Sequence, residues 1–261
     1  MRLEEAGDGH PARSLYDVDR RVAAGASFPD ALRDVLAAGQ SQPGGPTTEM
    51  VSLELTRDNG WFTHGSGLHE SPTVPGAFAV NFEGEAVVRA IYPSGAYTHL
   101  LSTRHRGVLH SRRFDIREDQ VAWALVVGEH AQLRCVVQDY PRSGLTYSRT
   151  SLNHDIWKWQ RIDLSYWHGD SAHFELTTSR DAPIEVGGDE RSFFGVREVR
   201  LQPKSAPKPI SPPDPFGMLG SMRTAPPSER SALIDHIRQR IESAIGRWAT
   251  RTCSDEDAQL L

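Results

Sequence analysis

The stretch Ile156–Leu201, IWKWQRIDLSYWHGDSAHFELTTSRDAPIEVGGDERSFFGVREVRL, decides the fold class. It reads as three consecutive β segments, Ile156–Leu164, Ser171–Thr178 and Phe193–Leu201. In the middle one Ala172, Phe174 and Leu176 alternate with His173, Glu175 and Thr177, the period of two that gives a strand one buried face. The first segment carries Trp157, Trp159, Ile162 and Leu164, so its alternation slips near Gln160 and Arg161. The last slips between Val196 and Val199, and such slips mark β-bulges in a bent sheet. Between the first two segments, Trp167-His168-Gly169-Asp170 supplies the Gly and Asp of a turn.

Working outward, the same texture extends back to Met50. Val51, Leu53 and Leu55 alternate, and Ala77–Phe82, Ala86–Ile91, Tyr97–Leu101, Val121–Val127 and Gln132–Val137 follow as short apolar runs. Pro75-Gly76, Glu83-Gly84, Pro93-Ser94-Gly95 and Gly128-Glu129 separate them. Short strands punctuated every 8–12 residues or so, without long helices between, predict an all-β fold, an antiparallel β-sandwich of the jelly-roll kind, over residues 50–203.

The flanks read differently. Residues 1–49 form an N-terminal segment: a polar, loose start to about residue 14, a short helix Phe28–Ala38 capped by Ser27, and a Gly/Pro linker. Residues 204–227 are a linker, since eight of the 17 prolines fall between Pro203 and Pro227 and their missing N–H groups exclude a sheet or helix interior. Residues 228–261 form a C-terminal helical segment. Leu233, Ile234, Ile237, Ile241, Ala244, Ile245 and Trp248 lie on one face of its main helix, and that stripe predicts docking within the chain or onto a partner protein. Ser254-Asp255-Glu256-Asp257 reads as a capped start of a further helix, and the chain stops on Leu260-Leu261 as a truncated helix would.

Charge and composition exclude several classes. A net charge of −5 with a pI near 6.1 argues against nucleic acid, whose binding domains run above a pI of about 9. A mean hydropathy of −0.48 and the lack of any apolar run of about 18 residues give no membrane span. The N-terminal residues carry no apolar core of a secretory signal. Two cysteines make no disulfide framework, and Cys135, within LRCVVQ, reads as a small buried hydrophobe.

The stretch AIYPSGAYTHLLSTRHRGVLHSRRFDI (Ala90–Ile116) resembles the mid-region of planctomycete cytochrome c-like proteins, in which paired domains of unknown function flank an insert. The resemblance continues through VVQDYPRSGLTYSRTSL, WKWQRIDLSYWHGD and RSFFGVREV, and through the tail IESAIGRWATRTCSDEDAQLL, covering about Phe78–Leu261. It implies an exported or cell-surface setting. The haem of that family does not carry over, because no Cys-x-x-Cys-His occurs here. The Trp-rich strand, the Tyr–Trp turn and the His-x-Glu-Leu strand are also similar to galactose-binding-like jelly rolls, which implies carbohydrate binding.

Residue chemistry points to binding rather than catalysis. Neither G-x-S-x-G nor H-E-x-x-H occurs. Asp163, Asp170, Glu175, Glu185 and Glu198 read as solvent-face charges, and Trp157 and Trp159 as core anchors. His99, His105 and His110 have no zinc-ligand spacing, so neither metal nor cofactor is expected; Asp181, Asp189 and Glu190 are the loop oxygens that a structural calcium would use. The candidate ligand-binding residues are Tyr97 and His99 on one strand face, Arg104 and His105 in a basic loop, and Tyr166 and Trp167 at the turn: aromatic faces for sugar rings and polar groups for hydroxyls. The expected function is a non-catalytic binding or scaffolding module with a polysaccharide as ligand. A spacer that binds no small ligand and a hydrolase are the alternatives.

Overall fold

The computed structural model of the chain describes residues 13–38, 51–52, 55, 60–81, 84–85, 87–140, 149–179, 191–209, 222 and 226–261. The chain divides into two compact units, Thr47–Pro209 and the pair of terminal segments Met1–Pro46 with Ile210–Leu261.

The Thr47–Pro209 unit is all-β and antiparallel. Its strands are β1 (Val51–Ser52), β2 (Phe62–His64), β3 (Ala77–Val80), β4 (Val88–Tyr92), β5 (Ala96–Tyr97), β6 (Val108–His110), β7 (Phe114–Asp115), β8 (Gln120–Val137), β9 (Arg149–Asp163), β10 (Ser171–Thr178) and β11 (Phe193–Pro203). Nine of them form one sheet in the order β1-β11-β8-β10-β6-β2, with β9 on β8, β5 on β11 and β7 on β10, while β3 and β4 pair separately. The middle strand has the bounds read from its alternation, and β11 shifts register between Val196 and Glu198, where the pattern predicted a bulge.

The sheet curls because β8 bends. One edge of this 18-residue strand pairs with β9; the other pairs first with β11, from Gln120 to Glu129, and then with β10 from Ala131 to Val137. Register shifts at Val126/Gly128 and Gly128/Ala131, and His130 at φ 50, make the corner. Gly128-Glu129, which reads as a break between two strands, is thus a bend within one. Glycine is required there: a Cβ on Gly128 would stand 2.8 Å from the Phe193 carbonyl oxygen.

The bend changes which residues face inward. Ala122, Ala124 and Val126 point into the core before it, and Ala131, Leu133, Cys135 and Val137 after it, so even positions give way to odd ones. Phe174, Leu176, Phe194, Val196, Val199 and Leu201 complete the same buried cluster, the two halves of the curled sheet closing on it as the layers of a sandwich do. Phe174 is fully buried and stacks on Phe114 at 5.0 Å between centroids. Burial pushes the Cys135 thiol up to about 12, and both cysteines are free.

β9 departs from its sequence reading. Its pairing with β8 is continuous from Trp159↔Leu125 to Asp163↔Val121, so no bulge falls at Gln160 and Arg161; the irregularity lies earlier, between His154 and Lys158. Unbroken alternation puts Ile162 in the main core and Trp159 on the opposite face, and Trp157, within the irregular stretch, packs against Tyr97 and Gly195. Trp159 is buried on that opposite face, 8% exposed, with the Arg200 guanidinium 5.4 Å from its ring centroid, and Trp157 is half-buried. Neither is an anchor of the main core.

The other unit is helical: α1 (Arg13–Ala23), α2 (Phe28–Ala38), α3 (Arg230–Ala249) and α4 (Asp255–Leu260). α2 has the predicted bounds, and Ser27 Oγ accepts from the Asp30 N–H at 3.3 Å, the expected cap. α1 was legible only as Leu15, Val18 and Val22 at helical spacing, inside a polar segment. Val18, Leu32, Val35, Leu36 and Leu233 share one buried cluster, so the apolar stripe of α3 docks in part within its own unit. Ser254 and Asp257 close the predicted capping box, and Asp257 also pairs with Arg247. The Pro-rich linker lies mostly outside the described residues.

Replacing Phe174 by Ala is expected to cost about 3–5 kcal/mol, because its ring fills the shared core of both sheet halves. Urea unfolding checks this: the midpoint falls while the slope stays that of the parent.

Candidate functional site

Tyr97 and His99 come together as predicted, but indoors. β5 pairs antiparallel with β11, Tyr97 opposite Gly195, and a Cβ on that glycine would lie 3.0 Å from the Tyr97 ring and 3.1 Å from Trp157. Tyr97 is fully buried and donates its hydroxyl to the Pro93 carbonyl at 2.9 Å. Tyr92 packs on it at 4.6 Å, Trp157 meets it edge-on at 6.0 Å, and His99 stands 6.1 Å away with Phe193 at 4.4 Å from the His99 ring. His99 is 5% exposed. Its burial pulls the imidazole down to about 4, with the Arg89 charge adding to the fall and a hydrogen bond to the Phe194 backbone opposing it. These residues form an aromatic sub-core around the paired strands β5 and β11. Arg104 is exposed and His105 half-buried, in a turn where the Arg104 N–H meets Ser102 Oγ at 3.2 Å.

Tyr166 and Trp167 occupy a rigid turn outside the sheet. Residues Ser165–Trp167 form a single 3₁₀ turn directly after β9. Trp167 N–H bonds the Leu164 carbonyl at 2.9 Å and Asp170 N–H the Trp167 carbonyl at 3.1 Å. Ile116 ties the far end, exchanging 2.9 Å hydrogen bonds with Gly169 and Asp170, and Gly169 sits at φ 87, where only glycine rests without strain. Asp163 fastens the near end, accepting from the Ser165 N–H at 3.1 Å and pairing with Arg161 and Lys204, each at 3.2 Å. The Ser165 hydroxyl contact leads the forces that lower the Asp163 carboxyl to about 2. Trp167 leans on the core, while Tyr166 is 84% exposed and meets the Trp167 ring edge-on at 5.6 Å.

A third cluster brings together His110 and Glu175, which the sequence reading weighed separately and set aside, with His173. On the sheet face away from the core, β10 places Glu175 directly opposite His110 of β6 on one side and Arg134 of β8 on the other. His173, two residues earlier on β10, shares that face. Glu175 is buried and ion-paired with the equally buried Arg134, so it is not a solvent-face charge as its strand position suggested: the cation beside it neutralises it out of water. His110 Nδ1 stands 3.6 Å from Glu175 Oε2, and His173 Nδ1 3.7 Å from Asp139 Oδ1, which in turn pairs with Arg113. Burial and neighbouring positive charge hold both imidazoles below their usual range, hence neutral. The His-x-Glu spacing within an alternating strand was the readable signal; the third member, from β6, needed the strand pairing. Asp181, Asp189 and Glu190, the expected calcium oxygens, lie outside the described residues.

The sequence matches no family model and no curated protein, so the planctomycete resemblance rests on its motifs alone. Among solved structures it is similar to TmCBM61 in complex with β-1,4-galactotriose (TM-score 0.31, 11% identity, 57% of this chain and 90% of that one). It is also similar to a family 29 carbohydrate binding module (0.31, 12%, 61% and 90%). A third is the cleaved adhesin domain of Lys-gingipain from Porphyromonas gingivalis (0.34, 9%, 60% and 99%). At such scores the strand pairing itself, not the likeness, defines the fold.

The low His99 value has a consequence for stability. As pH falls below about 6.5 the unfolded chain protonates this histidine before the folded one, so stability present in full above that pH is lost as pH falls toward about 4. Urea midpoints at about pH 7 and pH 4.5 measure the loss, of order a few kcal/mol at most, and His99→Leu is expected to shrink the difference between them.

Proposed function

We propose that the β unit is a non-catalytic module that binds a saccharide through the turn at Tyr166. The observation that carries this is one side chain: Tyr166 is 84% exposed on a turn hydrogen-bonded at both ends. An aromatic ring in water exposes apolar surface at a cost, and a tyrosine loses little conformational freedom when a ligand settles on it. The apolar face of a sugar ring fits such a surface, and the neighbouring Asp163, Ser165 and Lys204 groups suit its hydroxyls. Trp167, perpendicular to Tyr166, backs the platform and gives it an optical reporter.

The carboxylates favour binding over hydrolysis. A general acid must hold a proton at neutral pH, whereas Asp163 is lowered to about 2 and Glu175 faces Arg134. Tyr97 and His99 support the module from within, and a ligand on the Tyr166 turn does not need them.

Tryptophan emission titrated with a panel of neutral and acidic polysaccharides tests the reading. We expect a saturable shift that Tyr166→Ala weakens roughly tenfold or more, about 1.4 kcal/mol, with the far-ultraviolet circular dichroism unchanged. No response of the parent to any member of the panel would overturn it in favour of a spacer.

A further inference from the structure

We propose that His110, His173 and Glu175 form a binding site for one divalent transition-metal ion of the zinc class. The three residues each offer a ligand atom, and these atoms lie within 4.8 Å of one another. Zinc bound at about 2.0–2.1 Å in tetrahedral geometry holds its ligand atoms about 3.3 Å apart. His110 Nδ1 and Glu175 Oε2 are already 3.6 Å apart, so small rotations about side-chain bonds close the set. Two imidazoles and one carboxylate select zinc, copper, nickel or cobalt over calcium or magnesium, which favour all-oxygen sets.

The scaffold suits the assignment. All three ligands stand on paired strands, Glu175 directly across from His110 and His173 one row along, so the backbone ladder sets their spacing. His173 Nδ1 lies 3.7 Å from Asp139 Oδ1, so Asp139 is the carboxylate at hand to orient this ring once its other nitrogen takes the ion. Arg134 grips the second oxygen of Glu175 and leaves Oε2 toward His110. Side-chain exposures of 36%, 15% and 9% for His110, His173 and Glu175 put the opening on the His110 side, beside the exposed Phe62 of β2. Three protein ligands leave a fourth position for water or an anion. The ion would also pin the three-residue β6 to β10.

Cobalt is the probe, since its visible absorption reports coordination. The full chain, stripped with chelator, is titrated with Co²⁺ and then with Zn²⁺ in competition, alongside His110→Ala, His173→Ala, the double variant, and His168→Ala as an exposed-histidine control. We expect one equivalent of cobalt to bind with an absorption band that zinc displaces, and thermal stability to rise with metal by mass action. The single variants should bind more than tenfold more weakly while His168→Ala binds as the parent does. Each variant's metal-free unfolding midpoint shows that it is folded. Binding by the double variant equal to the parent's would reveal adventitious histidine binding, and no binding by the parent at micromolar metal would equally overturn the site. Glu175→Gln is a poorer test, because it strips Arg134 of its buried partner.

Discussion

The β unit depends on one strand having partners along both edges while turning a corner. β8 pairs with β9 on one side and successively with β11 and β10 on the other. A strand so placed satisfies its backbone polar groups along nearly its whole length, which is what lets it run through the interior at all. The corner at Gly128–His130 then folds the two halves of the sheet over a common core instead of leaving one flat layer with an exposed apolar face. Tyr97, the Tyr166 turn and the histidine cluster are positioned by that curl.

The sequence carried the class of fold and several of its details because period-two alternation survives wherever one face is buried. Ser171–Thr178 shows this cleanly, and the slip between Val196 and Val199 correctly marked a bulge. It misled where two explanations of one pattern compete. Trp157 and Trp159 change parity with respect to Ile162, which suits either a bulge that brings all of them inward or an unbroken strand with aromatics on its other face. Continuous pairing with β8 chose the second for Trp159. Strands as short as β2, β6 and β7 leave too few residues for any period to show.

The candidate site residues divided along the same line. A strand pattern tells which residues share a face but not what covers that face, so Tyr97 and His99 were grouped correctly and placed in water wrongly. Turn residues escape that ambiguity, which is why Tyr166 stands where its sequence neighbourhood put it. The grouping of His110 with His173 and Glu175 spans 65 positions of chain and exists only through antiparallel register; local spacing around His99, His105 and His110 held no trace of it.

The parity change in β8 also bears on how this chain can vary in length. Ala122, Ala124 and Val126 face inward before the corner and Ala131, Leu133, Cys135 and Val137 after it, with the bulged residues absorbing the odd count between them. Losing a single residue from that corner would leave the two sets an even count apart, so strict alternation would keep both inward, but the bulged residue that bends β8 would be gone and the two halves of the sheet would no longer close on one core. Deletions are therefore barred from a spot that looks, by its glycine and its charged neighbours, like an ordinary loop. Descendants of this chain should keep its register there even after the side chains have drifted.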